Sequence, residues 1–376
     1  MHGFYEFFAG GGMARAGLGD RWECLFANDF DPKKAETYIR NWGKTAYRFG
    51  DVAELITDEL PGHAELAWAS FPCQDLSLAG SRAGLQGKRS GTFWPFWHLI
   101  EQLKEQQRAP RIVVLENVYG ALRSHGGRDF QAIAEALTRT GYRFGALIID
   151  AIHFLPQSRP RLFIVSVSEE VLLPEQIVRS DPDLAWHPSA LVDAKEKLLT
   201  PEARKWIWWN PGSLPLRTLD FSDIIEDPPI GVQWHTPDVT ARLLSMMSPT
   251  NRAKVTMASA SGKQMIGGVY KRTRQGQQRA EVRFDVAGCL RTPTGGSSRQ
   301  TILAVQGHHL RSRLLSPREA ARLMGLPDTY QLPDNYNDAY HLAGDGLAVP
   351  VVRFLADRIL EPLLHFSDHR LNKDAA

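Results

Sequence analysis

The first half of this 376-residue chain predicts an α/β fold, a doubly wound and mostly parallel sheet, followed by a second, smaller and more irregular domain. Three observations carry this. Short apolar runs alternate with helical patterns up to about residue 168, as they do when strands are joined through helices on both faces of a sheet. A glycine-rich turn, FFAGGGMARAGLG, follows the first run and opens a helix. Beyond residue 168 the alternation gives way to prolines, polar stretches and tryptophans, among them Trp206, Trp208 and Trp209.

The elements follow in order. Residues 4–8 form the first strand and residues 23–28 the second. Pro32–Trp42 is a helix, since proline suits a first turn that has no use for its missing N–H. A third strand precedes the FGDV stretch that holds Asp51, and residues 65–71 form the fourth. The β-branched run 111–115 is the fifth. Phe130, Ile133, Ala134 and Leu137 recur at i, i+3, i+4 and i+7, so this helix has one apolar face, and Gly141 can close it. Residues 146–152 and 162–167 are further strands, separated by a turn containing Pro156. Regularity returns at Ser316-Pro317-Arg318-Glu319, which has the serine, proline and glutamate of a capped helix start. Gly325 and Pro327 end that helix, and residues 349–364 read as a last one. The expected domains are 1–172, completed by 338–376, and 173–337.

Three widely spaced cysteines, Cys24, Cys73 and Cys289, form no CxxC pair. Neither a disulfide framework nor a zinc site is expected, and a reducing cytoplasm fits best. No signal-peptide pattern is visible, and no segment approaches the roughly 20 apolar residues of a membrane span. The net charge of +2 hides an asymmetry: residues 251–313 carry twelve basic residues against Glu281 and Asp285. Such an excess points to a polyanionic partner.

The glycine-rich turn lets backbone approach a ligand closely at a helix start that favours negative charge. It does not fit the dinucleotide GxGxxG pattern, because Arg15 stands where the last glycine belongs. Asp29 ends the second strand, where a carboxylate can accept from ribose hydroxyls, and Asp51 follows the third, where it can accept from an adenine amine. In a doubly wound sheet these loops open on one edge. Together they suggest an adenosine ligand and leave NAD, ATP and S-adenosylmethionine open. Cys73, in SFPCQDLS, follows the fourth strand on the same edge, and Glu116-Asn117 ends the fifth. A thiol and a carboxylate thus share the ligand edge, with no histidine near Cys73 in sequence.

These residues carry a resemblance. The chain is similar to DNA (cytosine-5) methyltransferases over nearly its whole length, with nine segments in the family's order: FFAGGG, NDFD, GDV, SFPCQDLSLAG, RSGTF, ENV, QSRPR, RLLSPREAARLMGLPD and YHLAGDGLAVP. The resemblance implies the fold of S-adenosylmethionine-dependent methyltransferases and a target-recognition domain for DNA. It implies Cys73 as the nucleophile toward C6 of cytosine and Glu116 as the group at N3 and the exocyclic amine. Arg159 and Arg161, two apart on a strand and so on one face, would lie near the base carbonyl, the phosphate and the thiol. S-adenosylmethionine is the implied donor, with no metal. Its site would include Phe8 at the adenine, Gly10 and Gly12 at the methionine moiety, Asp29 at the ribose and Asp51 at the amine. Phe30, Val52, Pro72 and Asp345 complete it. Ser77, Gln157 and Arg89 would contact DNA, Arg89 from a closing loop over residues 80–93.

This sequence departs from the family in places. Asp29 replaces the usual Glu, Met13 follows the glycines, FLPQ replaces a glycine-led version before Gln157, and Gly344-Asp345-Gly346 replaces Gly-Asn. The segment 173–305 occupies the variable recognition position, where its basic residues fit a DNA cleft. Arg272, Arg274 and Arg299 are the expected DNA contacts there, with TPTGGSSRQT (292–301) a loop that follows the backbone or reads bases. The expected enzyme is a cytoplasmic monomer of bacterial or phage origin, acting on double-stranded DNA. A restriction endonuclease can accompany such an enzyme, acting on the same site without binding it. Two other readings stand beside it. A tRNA cytosine-5 methyltransferase is disfavoured by the long variable segment, and a non-catalytic DNA-binding protein by the intact Cys73, Glu116, Arg159 and Arg161.

Overall fold

The computed structural model describes residues 1–71, 93–274, 277–291 and 299–374, and the side chains of Thr273, Arg274 and residues 370–374 are not described. Pro72, Cys73, Ser77, Arg89 and residues 292–298 of the expected loop lie outside the described residues. The chain divides into two compact units.

The larger unit comprises Met1–Ile149, Pro160–Leu214 and Val351–Ala376. Its strands are β1 (His2–Phe7), β2 (Trp22–Asp29), β3 (Tyr47–Phe49), β4 (Leu66–Ala69), β5 (Ile112–Val118), β6 (Tyr142–Asp150) and β7 (Pro160–Ser168). They form one sheet in the order β3-β2-β1-β4-β5-β7-β6. β1 pairs in parallel with both β2 and β4, so the winding reverses at β1 and opens a crevice at the strands' carboxyl ends. β7 runs antiparallel to β5. The central strands are almost wholly apolar: Phe4, Tyr5 and Phe7 of β1 and all of Leu66–Ala69 are buried. That is what a sheet covered on both faces requires.

The helices start and stop where local chemistry satisfies their ends. α1 spans Met13–Leu18 and α2 Pro32–Trp42. Asp31 caps α2, accepting from Lys33 N at 2.9 Å and Lys34 N at 3.2 Å. α3 (Phe93–Glu105), absent from the sequence reading, buries Phe93, Phe96, Trp97, Ile100 and Leu103. α4 (Arg128–Arg139) buries the predicted stripe of Phe130, Ile133, Ala134 and Leu137.

Residues 173–214, assigned by sequence to the second domain, belong to this larger unit. They carry β8 (Val178–Arg179), α5 (Ser189–Glu196), α6 (Thr200–Arg204) and β9 (Trp208–Trp209). Their tryptophans pack on the sheet. Trp206 meets Phe144 edge-on at 5.4 Å, and Trp209 donates its indole N–H to Val165 O at 3.1 Å. Gly145 permits this approach, because a Cβ there would lie 1.9 Å from Ile207 O. A loop rich in tryptophan looks like a change of domain in sequence; here it is a covering layer.

The smaller unit comprises Asp150–Arg159 and Pro215–Pro350. Where the sequence showed only polar irregularity, it forms an antiparallel sheet in the order β11-β10-β12-β13, from β10 (Met265–Arg274), β11 (Gln277–Arg283), β12 (Thr301–Gln306) and β13 (His309–Leu314). One face packs Val269, Val282, Leu303 and Val305 against α7 (Pro237–Ser245) and α8 (Pro249–Ala260). Next come α9 (Pro317–Arg322) and α10 (Tyr336–Asp345). Ser316 caps α9 with the predicted reciprocal bonds to Glu319. The last helix, predicted over 349–364, starts at Val349 and belongs from Val351 onward to the larger unit; it runs as α11 (Val349–Leu355), passes through a π turn at Ala356–Leu360 and ends as α12 (Glu361–Asp374).

Glu319 also pairs with Arg313, with Nη1–Oε2 2.7 Å, and both side chains are 0% exposed. Glu226 N donates to Glu319 Oε1 at 2.8 Å. Removing one partner of such a pair leaves a buried, uncompensated charge, at a cost of about 3–5 kcal/mol. Glu319→Ala should therefore lower the denaturant midpoint of the smaller unit by a corresponding amount. An unchanged midpoint contradicts the pair's role.

Candidate active site

The larger unit gathers its polar residues at the carboxyl edge of the sheet. The chain leaves β1 through Phe8, Gly10 and Gly12, all with positive φ (57°, 56° and 77°). For Phe8 this is a strained conformation, of the kind that concentrates at ligand sites. At Gly12 a Cβ would lie 2.3 Å from Trp42 Nε1, and that indole donates to Gly11 O at 3.0 Å. At Gly10 the nearest atom to such a Cβ is Lys34 Cδ, 4.0 Å away, so the space above the turn is open.

Asp29, at the end of β2, holds this turn. Its Oδ2 accepts from Gly10 N at 2.8 Å and its Oδ1 from Asp31 N at 2.9 Å. Burial pushes its carboxyl above the ordinary value. Phe30, next in the chain, is 57% exposed although it is a large apolar ring. Asp51 caps a short helical turn, with Oδ1 accepting from Ala53 N at 2.9 Å, and Val52 beside it is buried. Asn28 ties the exits of β2 and β3 together by donating to Arg48 O and Gly50 O, each at 2.9 Å.

β5 outruns the predicted strand by three residues, so Glu116 and Asn117 lie within it. β5 and β7 are in register with Glu116 opposite Phe163 and Val118 opposite Arg161. Arg161 is therefore the diagonal neighbour of Glu116 on one face, and its Nε lies 3.3 Å from Glu116 Oε1. Glu116 is 9% exposed. Asn117 Nδ2 donates to Phe71 O at 3.4 Å, tying β5 to the chain just before residue 72.

Arg159 and Arg161 do not share a strand face, because β7 begins at Pro160. Arg159 belongs to the smaller unit, where its Nη2 donates to Gly344 O at 2.8 Å and Gly346 O at 2.7 Å and its Nη1 to Leu290 O at 3.0 Å. It anchors the Gly344-Asp345-Gly346 segment, with Asp345 exposed at the end of α10. Gln157, expected at DNA, is 0% exposed. Its Nε2 donates to Leu323 O at 2.6 Å and its Oε1 accepts from Leu290 N at 3.0 Å, so it is an internal brace rather than a surface contact. Arg299 lies 5.0 Å over the Tyr336 ring and bonds Asn337. Arg272 is exposed on β10.

Sequence reading passed over Glu6, an acid inside the apolar run FYEFF. It is 1% exposed, Oε1 accepts from Arg15 N at 3.4 Å, and Oε2 has no hydrogen-bond partner among the described residues. Burial pushes its carboxyl up to about 8. Arg15 and Asp29 act on Glu6 electrostatically, and Glu6 in turn helps to raise the Cys24 thiol and the Tyr38 and Tyr47 hydroxyls, for which burial is the main cause.

A family model described as C-5 cytosine-specific DNA methylase matches residues 3–361. Type II methyltransferase M.HhaI of Haemophilus parahaemolyticus is 24% identical over 359 residues, covering 95% of this chain and 93% of its own. Type II methyltransferase M.HpaII of Haemophilus parainfluenzae is 27% identical over 381 residues, covering 97% and 91%. The crystal structure of S. pombe Dnmt2 methyltransferase shares the fold, with a TM-score of 0.59 at 17% identity over 96% of this chain and 99% of that one.

Glu6 makes stability depend on pH. Its folded value of about 8 lies above the ordinary 4.5, so the fold holds a proton that the unfolded chain releases. The stability is fully present below the ordinary value and falls as pH rises to about 8, by on the order of a few kcal/mol. Glu6→Gln should flatten that decline in denaturation curves taken from pH 5 to 8. A slope equal to wild type contradicts the assignment.

Proposed function

The chain belongs to the C-5 cytosine-specific DNA methylase family, and on that premise we propose that it methylates C5 of a cytosine flipped out of a short, specific duplex DNA site, through a covalent adduct between Cys73 and C6, with S-adenosylmethionine as donor. The observation that carries this is Glu116, buried at the end of β5 against Arg161, beside an asparagine bonded to the chain two residues before Cys73.

The turn after β1 suits the donor: Gly10 leaves open space, Asp29 and Asp51 present carboxylates, and Phe30 offers an exposed ring. When bound, the donor supplies a methyl carbon made electrophilic by its sulfonium. Asp29 would accept from the ribose with its remaining lone pairs, Asp51 from the adenine amine, and Phe8 and Val52 would wall the ring. Pro72 and Asp345 complete the proposed donor contacts.

Cytosine C5 is a poor nucleophile. Attack of the Cys73 thiolate on C6 makes C5 enamine-like and able to take a methyl group. Glu116, when protonated, gives its proton to N3 as charge develops there, and its other oxygen accepts from the exocyclic amine. Arg161 positions Glu116 and can donate to the base carbonyl. Loss of the C5 proton to a water molecule acting as base, elimination of the thiolate from C6 and return of the N3 proton to Glu116 then restore the ring and free Cys73. A base stacked in a duplex is out of reach, so it must be flipped. Ser77 and Arg89 are the proposed DNA contacts near the nucleophile.

The proposed partner is double-stranded DNA, met by a monomer in the cytoplasm of a bacterial or phage-bearing cell, with any cognate endonuclease acting on the site independently. No helix among the described residues is long and apolar enough to cross a membrane, and no acid, histidine or cysteine group among them could hold a metal.

Cys73→Ser should abolish tritiated methyl transfer to plasmid DNA while equilibrium dialysis still shows donor binding. Glu116→Gln should lower kcat by about 10²–10⁴-fold with donor affinity kept. Full activity in either variant would remove that residue from the mechanism.

A further inference from the structure

The sheet of the smaller unit narrows at one end. β12 pairs with β10 only over Met265–Val269, whereas β10 and β11 stay paired from Gly268 to Arg274. From Lys271 onward, β11 is the only strand paired with β10 among the described residues. This leaves a two-stranded antiparallel ribbon reaching past the four-stranded sheet. A ribbon of that width fits the major groove of B-form DNA, about 12 Å across.

The ribbon's two faces differ. The inward side carries Val269 and Val282, opposite each other and buried, with Ala280 buried in the same cluster. On the other side Tyr270 faces Glu281 and Arg272 faces Arg279, while nearer the sheet Gly268, buried under Phe221 and Ala287, faces Arg283. Arg272, Arg279 and Arg283 are all exposed. Like charges directly opposite each other work against strand pairing, so folding alone gives no reason for Arg272 to face Arg279. The two guanidiniums are not equivalent. Arg272 lies 4.9 Å over the Tyr270 ring and 3.9 Å from Glu281, which Tyr270 OH also bonds. The side chain of Arg279 has no hydrogen bond or ion pair among the described residues.

We propose that this ribbon enters the major groove of the duplex substrate, where Arg272, preoriented by Tyr270 and Glu281, reads a guanine edge and Arg279 neutralises a phosphate. This rests on the DNA reading above and adds the element and the division of labour between the two arginines. A planar fork held in one orientation suits the O6 and N7 acceptors of guanine. An arginine without a protein partner is available to the backbone, whose contacts set affinity but not sequence.

The full-length chain tests this in two ways. Binding to linear plasmid DNA is measured over a range of salt. Arg279→Gln should weaken binding evenly and make the log–log salt slope shallower by about 1. Methylation of the same plasmid is mapped by bisulfite sequencing. Arg272→Lys keeps the charge and loses the fork, so it should preserve the salt slope and relax a guanine position of the wild-type motif by roughly tenfold or more. An unchanged slope in Arg279→Gln, or an unchanged map in Arg272→Lys, overturns the role given to that residue. Wild-type protein that binds plasmid but never methylates it refutes the enzymatic reading instead, and the salt slopes still decide the ribbon.

Discussion

A carboxyl group held almost out of water needs a polar partner, and Glu116 meets Arg161. The encounter depends on one strand running against the others. Parallel strands bring only their last residues to the carboxyl edge of a sheet. β7 is antiparallel to β5 and brings its first residues there instead, so Arg161, second in β7, reaches the end of β5. The exits of β1, β2, β4 and β5 and the entrance of β7 therefore meet at one crevice. The glycine turn, Asp29, Glu116 and Arg161 share it without lying near one another in sequence.

Elsewhere, too, buried polar groups decide where backbone goes. Asp29 spends both oxygens on main-chain N–H groups and so fixes the turn after β1. In the smaller unit, Arg159 gathers carbonyls from Leu290, Gly344 and Gly346, and Gln157 gathers Leu323 and Leu290. Residues of the QSRPR segment thus brace three stretches far apart in sequence. An arginine fork is well suited to this, since it satisfies several carbonyls from one rigid plane. In Gly344-Asp345-Gly346, Arg159 binds the carbonyls of the two glycines, and Asp345 between them is exposed.

The parallel sheet and its helices were legible because their signals are local: apolar runs, a stripe at 3.6-residue spacing, a capping box at Ser316. Glu116 was legible because an acid closing a β-branched run stands out. Other features depend on partners that sequence does not reveal. Arg159 and Arg161 look alike on paper, yet a strand boundary at Pro160 divides them. Gln157 reads as a polar surface residue until its neighbours are known. Trp206, Trp208 and Trp209 looked like the start of a new domain because nothing in sequence says that they cover the first sheet. The strands of the smaller unit escaped notice because one face is arginine-rich and only the other is apolar. Glu6 was overlooked for the opposite reason: a single acid in a strong strand does not change the pattern.

The account stands on a bond between one sulfur and one ring carbon. Bisulfite mapping of plasmid DNA gives the modified cytosine, and a duplex with 5-fluorocytosine at that position, incubated with enzyme and donor, tests the bond directly, since fluorine does not leave C5 as the proton does. The account predicts a complex that survives denaturing electrophoresis and whose digest carries the modified base on the peptide containing Cys73. No adduct on a duplex whose unfluorinated form is methylated, or an adduct at Cys24 or Cys289 instead, would contradict it.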